Sequence, residues 1–442
     1  MSTLCLLRHL FYYCLAAEAK GITLEFYIYS SFYQSFSAGP KSTKPYIRRD
    51  SEKDEGIGLL ISDAKQEQYF FCPSLNVDSI GSLPYISQLE TNNLKNKLNA
   101  LHVNTISKKE KFHLQLRFNE FCKKYSTKEM FFLSMNFAQI WIVKSTGCFI
   151  DDRVCQRLVV LKNKNRIAFS SSNKMFVGQK YFPINAVCNS VLIDSTPFAF
   201  VLLSPKAAGT VIHEICHMLE NDYYVPENPV WHKFGSYVAS EKLTIYDAPS
   251  VLYNNEKHID DEGVPLEDEC LIKDGKLQHL MGCQNAKHTI GEQFVINRAR
   301  RESYRNIPTG RSFCSVVPSK EFDKSAIIQS GLFCNKKVLV INDFKSSFVT
   351  KSTFEICCST DVVFEISKTG QRKAGSIEIE MKGSSFLFNI VEICNDPEYY
   401  ENMCNSSSGY VSSASFVPSI IFKLPSTGVL YSDKKTSLTI RF

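Results

Sequence analysis

His213-Glu214-Ile215-Cys216-His217 is an H-E-x-x-H pentad. In a helix, residues i and i+4 lie on one face, so both imidazoles can point at one ion. Two neutral His nitrogens hold Zn²⁺ at about 2.0–2.1 Å, and an open position keeps a water whose pKa falls toward ~7. Glu214, next to the first histidine, can take that water's proton and pass it to a leaving amine. The chemistry is metal-assisted hydrolysis, in the first instance of a peptide bond. Ile212, Ile215 and Leu219 recur at helical period around the pentad, which gives a half-buried helix whose two histidines share a face.

Such a site needs a third protein ligand. One candidate is Glu241, 24 residues after His217 at the end of Phe234–Glu241, which reads as a helix. A sharp turn after the active-site helix would instead return a residue six positions past the second histidine. That residue is Tyr223, with Asp222 just before it. Such a turn is usually made by glycine three residues past the histidine, where the backbone needs freedom from a Cβ. Glu220 stands there. His232 could also reach in from a loop, whereas Cys216 points off the histidine face and reads as a buried thiol or disulfide partner.

Several elements must position this helix. Ile22–Phe36 alternates and should open the fold as a strand, Lys109–Tyr125 has helical period, and Met130–Val143 reads as a buried strand. Gly39–Gly56 carries prolines and a charge run, which suggests a loop. Gly291–Tyr304 reads as a helix on which Arg298-Ala299-Arg300-Arg301 forms an exposed face, and Asp260-Asp261-Glu262 reads as a solvated acidic loop. Beyond Cys314 the chain turns β-rich, with strands expected at 338–341, 362–366, 377–380 and 438–442. Cys334, Cys357, Cys358, Cys394 and Cys404 would staple that unit. Strands around a long active-site helix give an α/β class.

The bulk numbers fit an exported globular protein. The 442 residues are 44% hydrophobic and 22% charged, which is ordinary for a folded protein. A net charge of +6 over this length gives no argument for nucleic-acid binding. Leu4–Leu15 followed by Ala17-Glu18-Ala19 reads as a signal peptide over residues 1–19, with a buried N-terminal helix as the alternative. No later segment approaches the ~20 apolar residues of a membrane span. Sixteen cysteines, two of them in the leader, suit disulfides in an oxidising compartment. Asn405-Ser406-Ser407 is an N-glycosylation sequon.

The stretch Ala208-x-Thr210-x-x-His213-Glu214-x-x-His217 resembles the active-site helix of the reprolysin (adamalysin) metalloproteases of the metzincin clan, in particular their secreted arthropod-type members. Gly178–Ser195, with Cys188, resembles their substrate-binding edge strand. Cys270-x-x-x-Asp274-Gly275-x-x-x-x-Leu280-Met281 resembles the approach to their Met-turn, in which Met281 would underlie the metal. Gly291–Tyr304 and Cys314 resemble the closing helix and cysteine of the catalytic domain, and 22–36 and 109–125 its first strand and helix. The resemblance covers roughly residues 21–315. It implies a secreted zinc endopeptidase with a metzincin-like catalytic domain over 20–315, a twisted mixed sheet plus active-site helix, followed by a small cysteine-containing β-rich domain over 316–442. Its substrate would be a protein or peptide. Glu220 and Tyr223 depart from the family pattern, which keeps open an inactive homologue acting as a protein-binding module, or a zinc peptidase using Glu241.

Overall fold

The computed structural model describes residues 3–39, 46–63, 66–75, 86, 130–162, 165–172, 198–223, 233–253, 258–284, 294–324, 337–350, 355–360, 363–367, 370–374, 376–382, 385–424, 429–431 and 437–441. The expected helix at 109–125, the expected edge strand at 178–195, His232 and Cys334 lie outside these residues.

The first layer is an antiparallel sheet of six strands. In chain order they are β1 (Thr23–Gly39), β2 (Tyr46–Ser62), β3 (Glu67–Cys72), β4 (Met130–Lys144), β5 (Gly147–Lys162) and β6 (Asn165–Ser172), arranged β3-β2-β1-β4-β5-β6. Alternation in β1 explains its two faces. Leu24, Phe26 and Ile28 pack with Ile57, Leu59, Ile61, Trp141 and Val143 beneath helix α1 (Thr3–Glu18). Tyr27 and Tyr29 point the other way, toward Ile140, Ile142 and Tyr304. Residues 3–18 therefore form a helix packed on this sheet, with Leu6, Leu7 and Leu10 buried. Each such leucine contributes about 1.5–3 kcal/mol. The charged stretch expected as a loop is instead largely β2, because β1 offers a partner for its whole length, from Thr23 opposite Ser62 to Gly39 opposite Tyr46.

The remaining strands form mixed sheets around the pentad. β7 (Phe200–Leu203) sits inside a sheet between β16 (Val338–Ile341), to which it is parallel, and β25 (Ile420–Lys423), to which it is antiparallel. That sheet continues to β19 (Val363–Ser367) and β20 (Gly370–Ala374) on one side and β22 (Ile390–Ile393) on the other. A second sheet runs β10 (Lys276–Leu277), β9 (Glu269–Lys273), β8 (Ile245–Asp247), β15 (Cys314–Val316), β24 (Gly409–Val417), β23 (Glu398–Ser406). A third runs β17 (Ser346–Thr350), β18 (Glu355–Thr360), β21 (Ser376–Lys382), β27 (Ser437–Arg441), β26 (Val429–Tyr431). Two short pairs, β11 (Leu280–Met281) with β12 (Phe294–Val295) and β13 (Ala299–Arg300) with β14 (Thr309–Gly310), complete the set.

The α/β, metzincin-like expectation is therefore corrected: the fold is mostly β, with several mixed sheets and few helices. The described part of 291–304 holds β12 and β13 rather than a helix. Phe234–Glu241 is turn and irregular chain, not a helix. Strands from either side of residue 316 share sheets, as β15 with β24 and β7 with β16 and β25 do. The four late strands stand where their β-branched, alternating sequences put them.

Helix α2 (Pro205–Met218) follows directly from β7, with Pro205 at its start and Ser204 as N-cap. It packs on β24, β23 and β15 of the second sheet and on β17 of the third. Ala207, Ala208, Val211, Ile212 and Ile215 lie in the main core. At Gly209 a Cβ would sit 2.4 Å from Ser415 Oγ of β24, so glycine lets helix and strand approach closely.

Candidate metal centre

The helical spacing brings the two imidazoles together, with ring centroids 4.7 Å apart. His213 is half-buried, while Glu214 and His217 are buried. Opposite them β23 presents Cys404. Its Sγ lies 3.1 Å from His217 Nε2, and one donor atom from each of His213, His217 and Cys404 falls within 4.8 Å of the others. Two imidazoles and a sulfur form a zinc-class donor set. The chemistry between His217 and Cys404 also calls for a cation. Burial works against the thiolate, but His217 and His213 outweigh it and bring Cys404 down to about 4. Burial likewise opposes charge on His217, yet Glu220 and Cys404 hold its pKa well above the ordinary value. A proton or a divalent metal between nitrogen and sulfur answers that demand, so the residues fit a bound zinc.

Glu220, at the position where glycine was expected, faces inward. Its Oε2 lies 2.7 Å from His217 Nδ1, and its Oε1 accepts from the Ser312 amide at 3.0 Å. A carboxylate on the outer nitrogen fixes ring orientation and leaves Nε2 for the metal. The turn that follows needs no left-handed residue, because Asn221–Tyr223 continues as a short 3-10 turn. Burial opposes ionisation of Glu220, and the neighbouring His217 and Arg311 hold its carboxyl below the usual range. Arg311, itself 1% exposed, donates from Nη2 to Cys404 Sγ at 2.9 Å. Glu214 Oε1 accepts from Ser347 Oγ of β17 at 2.7 Å.

The other expected site residues go elsewhere. Tyr223 lays its ring against His217, with centroids 5.8 Å apart and planes at 28°, and burial pushes its hydroxyl up to about 12. Asp222 Oδ2 accepts from Ser406 Oγ at 2.7 Å. Glu241 is exposed in a turn, since the helix that would have aimed it does not form. Met281 is buried in β11, and its amide donates to Leu219 O at the end of α2. Cys216 is a buried thiol beside Ser315 Oγ, raised to about 12 by burial. Asn405 is exposed on β23. Cys357, Cys358, Cys394 and Cys404, expected as disulfide staples, are unpaired with any other cysteine, as is Cys314. Cys404 was missed because it lies 187 residues from His217, and no local pattern ties the two.

A family model described as the PmbA/TldA metallopeptidase C-terminal domain matches residues 199–426. A Haemophilus influenzae protein named metalloprotease TldD homolog is 28% identical over 201 residues, which take in 44% of this chain and 38% of that relative's length. Among solved structures, TldE from Thermococcus kodakarensis aligns with a TM-score of 0.60 at 13% identity, over 90% of this chain and 95% of its own. A candidate modulator of a DNA gyrase from Thermotoga maritima aligns with a TM-score of 0.60 at 14% identity, over 96% of this chain and 99% of its own. These findings overturn the metzincin, reprolysin-type kinship, and with it the ground for reading Met281 as a Met-turn. The pentad misled because any helix offering two imidazoles and a carboxylate to one ion converges on it.

Proposed function

The chain belongs to the PmbA/TldA metallopeptidase family, and from that premise we propose that it is a zinc-dependent peptidase whose metal is held by His213, His217 and Cys404. The observation that carries the reading is the convergence of those three donor atoms within 4.8 Å. A divalent metal there supplies Lewis-acid chemistry, polarising a scissile carbonyl and activating water. Glu220 keeps His217 turned so that Nε2 faces the metal position. Glu214, on the same helix, is the general base that takes a proton from the attacking water and returns it to the leaving amine. Its carboxylate is held toward β17 by Ser347. Among the described residues β17 ends its sheet, so an extended peptide could pair with it beside Glu214.

Metal analysis and peptide digestion test this together. We expect about one zinc per folded chain in the wild type, as one three-ligand site holds one ion. Glu214→Gln should keep the zinc and lose hydrolysis by roughly 10²–10⁴-fold. Cys404→Ser should lose both. Equal digestion by wild type and Glu214→Gln would sink the catalytic assignment, and full zinc content in Cys404→Ser would sink the third ligand.

A further inference from the structure

Arg311 is one of the largest fully buried side chains, and its guanidinium is spent on the hairpin that carries Cys404. Nη1 donates to Gly409 O at 2.6 Å and to Ser408 Oγ at 3.1 Å, while Nη2 donates to Cys404 Sγ at 2.9 Å. Ser408 is fully buried and is fixed in turn by Thr309 Oγ1 at 3.0 Å. Gly409 takes φ +89° to close the turn between β23 and β24. The planar fork therefore spans both the turn and the sulfur, a geometry that a lysine ammonium cannot reproduce. The arrangement mirrors Glu220 on His217: an anion braces the imidazole and a cation braces the sulfur.

We propose that Arg311 is the positioning residue for the ligand sulfur, its N–H donation fixing where Cys404 Sγ sits and drawing electron density away from it. The inference rests on the reading of Cys404 as a metal ligand. A charge-assisted N–H donor on a thiolate weakens it as an electron donor to whatever cation it binds. A residue that merely clasps the hairpin would hold the turn without changing the electronics of the sulfur.

Cobalt substitution separates the two. The wild-type Co²⁺ protein should show a sulfur-to-cobalt charge-transfer band. In Arg311→Met that band should move to lower energy, and because losing the fixed sulfur position outweighs the sulfur's stronger donation, zinc affinity from chelator competition should fall by roughly 10–100-fold. Arg311→Lys should fall between the two proteins in both readouts. A band unchanged in position in a folded Arg311→Met protein overturns the proposal, whether or not affinity falls, because only the clasp is then left. If Arg311→Met does not fold, the same criterion applies to Arg311→Lys. If neither folds, NMR of the cadmium-loaded wild type decides: scalar coupling between an arginine N–H proton and the metal across the sulfur supports the proposal, and its absence overturns it. A wild-type cobalt protein with no thiolate band would instead remove the ligand set itself, which distinguishes that failure from this one.

Discussion

Two regions of this molecule bury charge, and they do so to opposite ends. Beneath the first sheet, Asp260, Asp261, Glu262, Arg298, Arg300 and Arg301 are all buried. The groups there are turned on one another. Asp260 accepts the amides of Glu262, Val264 and Ala299, Arg301 reaches Glu25 at 2.9 Å, and Arg153 reaches Asp261 at 2.6 Å. Arg298 and Asp247 form a contact ion pair at 2.5 Å with no exposure on either side chain, although Arg298 Nε makes no well-aligned hydrogen bond. At the candidate metal centre the charges instead brace His217 and Cys404 from behind, and the donor atoms of His213, His217 and Cys404 converge on one point. Buried charge that satisfies itself is architecture, whereas buried charge whose donor atoms aim at a common point calls for a guest.

That contrast can be broken at either end. The largest effect on stability should come from Asp247→Ala. Asp247 Oδ1 also accepts from Ser312 Oγ and from the amides of Phe313 and Cys314, and removing one partner of a buried pair typically costs about 3–5 kcal/mol. Urea unfolding should report the loss. A variant as stable as wild type would contradict the architectural role.

Glu220→Gln is the reciprocal test. It keeps the shape and loses the charge behind His217, so zinc affinity should drop roughly 10–100-fold, or about 1.4–2.7 kcal/mol. An affinity equal to wild type would show that Glu220 does not brace the ligand.

The smallest effects are slopes with pH, of order 1.4 kcal/mol per unit for each proton exchanged, and the two regions should differ in sign. Burial raises Asp260 to about 7 and Glu262 to about 8. The folded state then holds protons that the unfolded chain has released. Stability from this region is full below about pH 4 and declines as pH climbs through 7 to 8. In the metal-free centre Cys404 is lowered to about 4 from an ordinary 9.0, so its contribution is lost as pH falls through 4. His217 is raised, so its contribution is complete below 6.5 and is lost only as pH rises through its elevated folded value. From 4 to 6.5 the centre therefore gains stability with pH, and above 6.5 the His217 shift opposes the Cys404 one. Melting curves across pH should show Asp260→Asn flattening the declining limb and Cys404→Ser the rising one. Flattening of the same limb by both would erase the distinction.

The sequence made the helix and the shared face of its two histidines legible because the relevant distances are local. His213, Glu214 and His217 lie within a turn and a half of one another, and Pro205 marks the start. The late strands were legible for the same reason, as at Val338–Ile341. What could not be read was anything set by long-range pairing. Cys404 reaches the centre through β23 and β24, and Glu220 faces inward because the Ser312 amide waits there. Asp260-Asp261-Glu262 and Arg298-Ala299-Arg300-Arg301 each looked like solvated surface in isolation, since charged residues are almost never fully buried unless paired. Each run is the other's burial partner, with Asp260 taking the Ala299 amide and Asp261 that of Arg301, and sequence spacing does not carry that relation.

The separation of 187 positions from His217 to Cys404 also bears on the protein's birth. Two imidazoles emerge from the ribosome long before the hairpin that delivers the sulfur. A nascent chain therefore presents two of the three candidate donors long before the third can join them. On the proposed function, a chain that fails to bring β23 beside α2 would lack the third donor of the site.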